Sequence, residues 1–108
     1  MKIQRCLENY RQSRNCTLLG VGPMSKNCID ASIELAEQYK TPLMLIASRR
    51  QIDSEQFGGG YVENWTTKEF VSYVEKKDIN KNIILARDHG GHWQNEIEKN
   101  QNMSLKDA

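Results

Sequence analysis

The sequence predicts an α/β domain of about three parallel strands with intervening helices, the N-terminal part of a (β/α)8 TIM barrel. Three observations predict it. Short apolar runs with little polar alternation recur at 16–21, 43–47 and 83–86, as strands buried on both faces read. Amphipathic stripes fall between them, at Ile29, Ile33 and Ala36 and again at Phe70, Val71 and Val74, which is helical spacing. The chain then reaches Ser104-Leu105-Lys106-Asp107, which has the form of a further helix start. Strand, helix, strand, helix, strand and the opening of a helix is the rhythm of a parallel sheet covered by helices. A closed barrel takes roughly 250 residues and a small flavodoxin-like domain would want two more strands, so the 108 residues are expected to be a fragment or truncated product.

In chain order, Ile3, Cys6 or Leu7 and Tyr10 recur among charges and predict a short amphipathic helix or an N-terminal arm. Cys-Thr-Leu-Leu-Gly-Val at 16–21 is closed by Gly22-Pro23, which suits a buried strand. Ser25 or Asn27 then caps a helix whose stripe is widened by Leu35 and Tyr39 and which runs out near Lys40, before Pro42. Leu-Met-Leu-Ile-Ala at 43–47 is the second strand, followed by a long loop at 48–65 that holds Arg49, Arg50 and Gly58-Gly59-Gly60. Thr66-Thr67-Lys68-Glu69 gives a capping box in which hydroxyl and carboxylate each satisfy an amide at the helix start. Ile-Ile-Leu-Ala at 83–86 is the third strand.

Composition excludes several functions. Fifteen basic against fourteen acidic residues leave no strong pull toward nucleic acid or an anionic membrane. The longest apolar run, 42–47, is too short to cross a bilayer, and the charged first ten residues are no secretory signal. Cys6, Cys16 and Cys28 are odd in number and lack metal-ligand spacing, so small half-buried thiols in a reducing cytoplasm are expected.

Ligands of parallel α/β sheets and barrels bind where strands end, and Ala-Arg-Asp-His-Gly-Gly-His-Trp at 86–93 lies there. Adjacent Asp88 and His89 can serve one site only if the backbone turns, which Gly90-Gly91 permits. A neutral imidazole can ligate zinc and a nearby carboxylate can move a proton; an Asp-His pair can equally be a loop cap. His92 completes His-x-x-His across Gly-Gly, a weak ligand spacing more often found as a surface histidine. Arg49 and Arg50 follow the second strand, where guanidinium groups can hold a sugar phosphate, although solvated loop charges are commoner. The triplet at 58–60 lacks both the P-loop ending and the dinucleotide spacing, so a turn is favoured over a phosphate cradle. Trp65 and Trp93 read as packing residues.

Gln-Phe-Gly-Gly-Gly-Tyr at 56–61, Thr-Lys-Glu-Phe at 67–70 and Ile-Ile-Leu-Ala-Arg-Asp-His-Gly-Gly at 83–91 form a connected set. It resembles the accessory, non-catalytic subunit family of class II D-tagatose-1,6-bisphosphate aldolase, whose fold is a (β/α)8 barrel, over the N-terminal quarter or so of such a protein. Ser48 and Gln51 match that family's Ser-Asn-Gln after the second strand. The resemblance implies that Asp88 is the acid/base and that His89 is a zinc ligand; Ser48 and Gln51, with Arg49 from its place after the second strand, are the expected substrate contacts. It also implies a sugar-phosphate substrate, Zn2+ held by the whole barrel or its partner, and a catalytic aldolase subunit or further copies as partner. Zinc needs three protein ligands and an open position, so the chain alone is expected to be inactive. Arg49-Arg50, the third glycine, Arg87 and His92-Trp93 depart from the family pattern around the site, which points to another sugar phosphate. The alternatives are a non-enzymatic half-barrel that pairs with another chain, and a sugar-phosphate epimerase or isomerase on the same barrel.

Overall fold

The computed structural model describes residues 2–13, 18–92, 94, 98, 99 and 104. Helix α1 (Lys2–Ser13) is followed by β1 (Gly20–Val21), α2 (Lys26–Tyr39), β2 (Leu43–Ala47), a 3-10 turn (Glu55–Phe57), α3 (Thr67–Lys77) and β3 (Ile83–Arg87). The predicted order is present, and the first strand is shorter than expected. Leu18 and Leu19 precede it, although the Leu19 carbonyl still accepts the Met44 N–H at 2.9 Å. Cys16, Thr17, and the expected helix beyond Ser104 lie outside the described residues.

Local chemistry sets the helix ends. Of the two possible caps of α2, Ser25 is the one used: its extended backbone lets Oγ accept the Cys28 N–H at 3.1 Å. At the other end Lys40 adopts a left-handed conformation (φ 51°) and its N–H returns to the last carbonyls, closing the helix before Pro42. The box at Thr66 forms as read: Thr66 Oγ1 accepts the Glu69 N–H at 3.2 Å and the Glu69 carboxylate accepts the Thr66 N–H at 2.8 Å.

All three strands are parallel and lie in the order β1-β2-β3, with Gly20 beside Met44 and Met44 beside Ile84. Paired residues in such a sheet share a face. One face carries Leu43, Leu45 and Ala47 of β2, which join Ile29, Ile33 and Ala36 of α2, Phe70 and Val74 of α3, and Ile52 and Val62 of the long loop in one core. Val21, Ile83 and Leu85 pack against the same cluster. Both helices therefore cover one face of the sheet. Leu35 and Tyr39, expected to widen the buried stripe of α2, are exposed instead, because β2 takes only the Ile29–Ile33–Ala36 side. The opposite face, with Met44, Ile46, Ile84 and Ala86, is half-buried and wholly apolar.

Among the described residues no helix is long and apolar enough to cross a membrane. Cys28 is a free, half-buried thiol whose Sγ lies 3.6 Å from the Gly22 carbonyl. The side chains of Cys6 and Cys16 lie outside the described set.

Candidate functional site

Strands β2 and β3 end side by side, and the Asp88 N–H continues their ladder by donating to the Ala47 carbonyl at 3.0 Å. The chain begins its turn at His89, which is left-handed (φ 45°), one residue before the expected Gly90-Gly91, and bends again at Gly91. Asp88 makes this possible. Its Oδ1 accepts the His89 N–H at 2.8 Å, and its Oδ2 lies 3.1 Å from His89 Nδ1. A left-handed residue of this type costs roughly 1 kcal/mol or more, and the backbone bond to the carboxylate offsets that locally. A proton on Nδ1 would face the carboxylate and leave the Nε2 lone pair for another partner. Both side chains are exposed.

The loop after β2 opens with a second reciprocal box. The Ser48 N–H donates to Gln51 Oε1 at 2.8 Å, and the Gln51 N–H donates to Ser48 Oγ at 3.3 Å. Ser-x-x-Gln is itself a capping-box pattern, so the sequence carries a signal for this turn as well as for substrate contacts. Ser48 and Gln51 thus shape the turn first, and Ser48 also borders the recess described below.

Arg49, read as a substrate contact, points into the protein. Its guanidinium bonds both oxygens of Asp53 at 3.2 Å, donates to the Gly91 carbonyl at 2.8 Å and pairs with the Glu98 carboxylate. It also lies 5.1 Å from the centre of the Phe57 ring. Burial alone pushes its pKa down, but the bonds to Glu98 and Asp53 outweigh that and the net shift is upward. Arg50, next in sequence, is exposed, and among the described residues no acid pairs with it. Ser48, Arg50, His89 and Gln94 together line an open recess of about 340 Å³ at the carboxyl ends of the strands.

Against family models, curated proteins and solved structures, the chain has no match.

The glycine triplet is a turn. The N–H groups of Gly58, Gly59 and Gly60 donate to the carbonyls of Glu55, Ser54 and Trp65, so none of the three points at a ligand. A Cβ on Gly60 would stand 2.0 Å from the Gln51 carbonyl oxygen, which explains a glycine there by close backbone approach. Trp65 packs on Tyr73 with ring centres 4.7 Å apart, as a core residue would. His92 is exposed, and Trp93 lies outside the described residues. Among the described residues no three His, Cys, Asp or Glu side chains are grouped to share a metal ion. His89 Nε2 is one donor of the kind zinc accepts.

Arg87 supplies a further link that the sequence did not suggest. Its Nη1 donates to the Ile52 carbonyl at 2.6 Å and its Nη2 to Thr67 Oγ1 at 3.0 Å. The end of β3 is thereby fixed to both the long loop and the first turn of α3.

Proposed function

We propose that this chain forms the first βα units of a (β/α)8 barrel of the class II tagatose-bisphosphate aldolase accessory type, and that it supports aldol cleavage of a ketose bisphosphate. One observation carries the reading: strands in sequential order with both helices on one face. Successive right-handed crossovers on the same side wind a sheet steadily in one direction, as a barrel requires and as one half of a doubly wound sheet shares. The apolar face of Met44, Ile46, Ile84 and Ala86 then becomes barrel interior, and the recess opens where barrel enzymes hold substrate.

In this reading Arg50 grips a substrate phosphate, and Ser48 and Gln94 offer neutral hydrogen-bonding groups to its oxygens or to a sugar hydroxyl. Asp88 holds the His89 ring so that Nε2 faces a ligand or a transferable proton. His89 would be one zinc ligand, the others coming from elsewhere in the barrel or its partner; bound zinc supplies polarisation of the substrate carbonyl. The test is reconstitution. Mixed with the catalytic subunit of a class II D-tagatose-1,6-bisphosphate aldolase, the chain should co-elute with it and raise cleavage of the bisphosphate. Separate elution with unchanged turnover would overturn the proposal.

A second reading rests on the same apolar face and on the outer edges of β1 and β3, which no other strand among the described residues pairs. A half-barrel that pairs with another chain, without chemistry, would bury both. A discrete dimer mass in sedimentation, with no effect on aldolase turnover, would favour it.

A further inference from the structure

Glu98 is fully buried, and its partner Arg49 lies 49 residues earlier in the chain. The guanidinium that meets it also holds Asp53 through two bonds of 3.2 Å and the Gly91 carbonyl at 2.8 Å. Asp53 is itself fixed: its Oδ1 accepts the Ser54 N–H at 2.8 Å and its carbonyl accepts the Thr67 N–H at 2.9 Å, at the start of α3. Gln94, which lines the recess, falls between the two positions that Arg49 holds, 91 and 98. Ser48 and Arg50, on the opposite wall, flank Arg49 itself.

We infer that Arg49, Asp53 and Glu98 form a clamp that fixes the chain after β3 against the loop after β2, and that Arg49 is a positioning residue for the recess. Only a guanidinium suits this place. Its planar fork presents donors in several fixed directions and so satisfies two carboxylates and a carbonyl at once, which the compact ammonium of lysine does not do. Adjacent side chains diverge, so burying Arg49 turns Ser48 and Arg50 toward the recess. While the clamp is closed, the two walls keep a fixed spacing. When it opens, Gln94 separates from Arg50, and the affinity for any ligand falls with the closed fraction.

The clamp is a geometric statement; only its effect on ligand affinity rests on the phosphate-binding reading proposed above. Two measurements separate the two on the full chain, its Arg49→Lys, Glu98→Gln and Arg50→Gln variants. The first is the backbone 15N order parameter. Gly91, His92 and Gln94 should stay above about 0.6 in the wild type and fall below it in the Arg49 and Glu98 variants, while Leu45 and Leu85 remain near about 0.85. The second is titration with inorganic phosphate, read from the His89 ring signals. Arg49→Lys and Glu98→Gln should weaken binding by about tenfold, by lowering the closed fraction. Arg50→Gln should weaken it as much with unchanged order parameters at Gly91. If Gly91, His92 and Gln94 stay as ordered in both clamp variants as in the wild type, the clamp is overturned. Loss of order there in a chain whose wild type takes no phosphate would uphold the clamp and remove the ligand reading.

Discussion

The Glu98 carboxylate is a charge taken out of water, and such a group persists only when it is paired and hydrogen-bonded. Arg49 supplies that pairing and holds Asp53 with the same guanidinium. Removing one member of a buried pair leaves the others uncompensated, at a cost of about 3–5 kcal/mol. Glu98→Ala should fall at the lower end, about 3 kcal/mol, because Arg49 keeps Asp53; urea denaturation measures it. A loss of a few tenths would mean that the guanidinium finds water when Glu98 is gone. Asp88 and His89 act at the same scale. With the carboxylate 3.1 Å from Nδ1, the Nδ1–H tautomer is the one expected of a neutral ring. Asp88→Ala should move the ring toward Nε2–H, visible in its 15N shifts at a pH where it is neutral, with the sheet amides unmoved. An unchanged tautomer would remove Asp88 from the role of orienting His89.

Between elements, the main polar tie in the helical layer is Tyr73. Its hydroxyl donates to Asp30 Oδ1 at 2.5 Å, Lys77 Nζ reaches the same oxygen at 2.9 Å, and Lys77 and Lys26 lie 5.1 and 5.5 Å from the Tyr73 ring centre. The Tyr73 hydroxyl holds the Asp30 carboxyl below its ordinary 3.8, aided by Lys77 and against a cost of burial, and these groups push the Lys77 ammonium up. The sign of the linkage follows. A carboxyl depressed in the folded state stabilises fully above its unfolded value of 3.8, and that contribution is lost as pH falls through the folded pKa. Tyr73→Phe should therefore cost about 1 kcal/mol at neutral pH and flatten the fall in stability below pH 3.8. Thermal unfolding between acid and neutral pH checks both, and an unaltered acid limb would show that Lys77 alone sets the Asp30 pKa. At the start of the same helix, Thr66→Ala removes half of a reciprocal box and should cost about 1 kcal/mol, read by the same unfolding.

For the molecule as a whole, the deciding feature is the sheet face opposite α2 and α3. Met44, Ile46, Ile84 and Ala86 form it, and a Cβ at Gly20 would stand 2.6 Å from Ile46 Cδ1, so the residues of neighbouring strands already touch there. Apolar residues collected on one face need a cover, whether further strands of a barrel or another chain. Ile84→Asp discriminates between a covered and an open face. Within a barrel or a pair it places a carboxylate in an apolar interior and should cost several kcal/mol, on the order of 3 or more, with loss of the assembled mass in sedimentation. On an open face it would change stability by no more than about 0.5 kcal/mol, and both the barrel and the paired half-barrel would be wrong.

The sequence by itself determined the order of elements, the parallel sheet, the Thr66 capping box and the triplet at 58–60 as a turn. These depend on local periodicity and on side chains a few residues apart, and such distances are the same in the string as in the fold. The placement of Asp88 and His89 at a strand end was legible for the same reason. Only the tertiary structure decided which of two neighbouring arginines is buried. Nothing in Ser48-Arg49-Arg50-Gln51 separates the two guanidinium groups; the distinction comes from Glu98 and Gly91, which approach from 49 and 42 residues away. It also decided that the turn begins at His89, before the glycines, because the Asp88 carboxylate accepts the backbone N–H of a left-handed histidine. Buried charge takes its partner from whatever the fold brings near, and that proximity is not a property of sequence spacing.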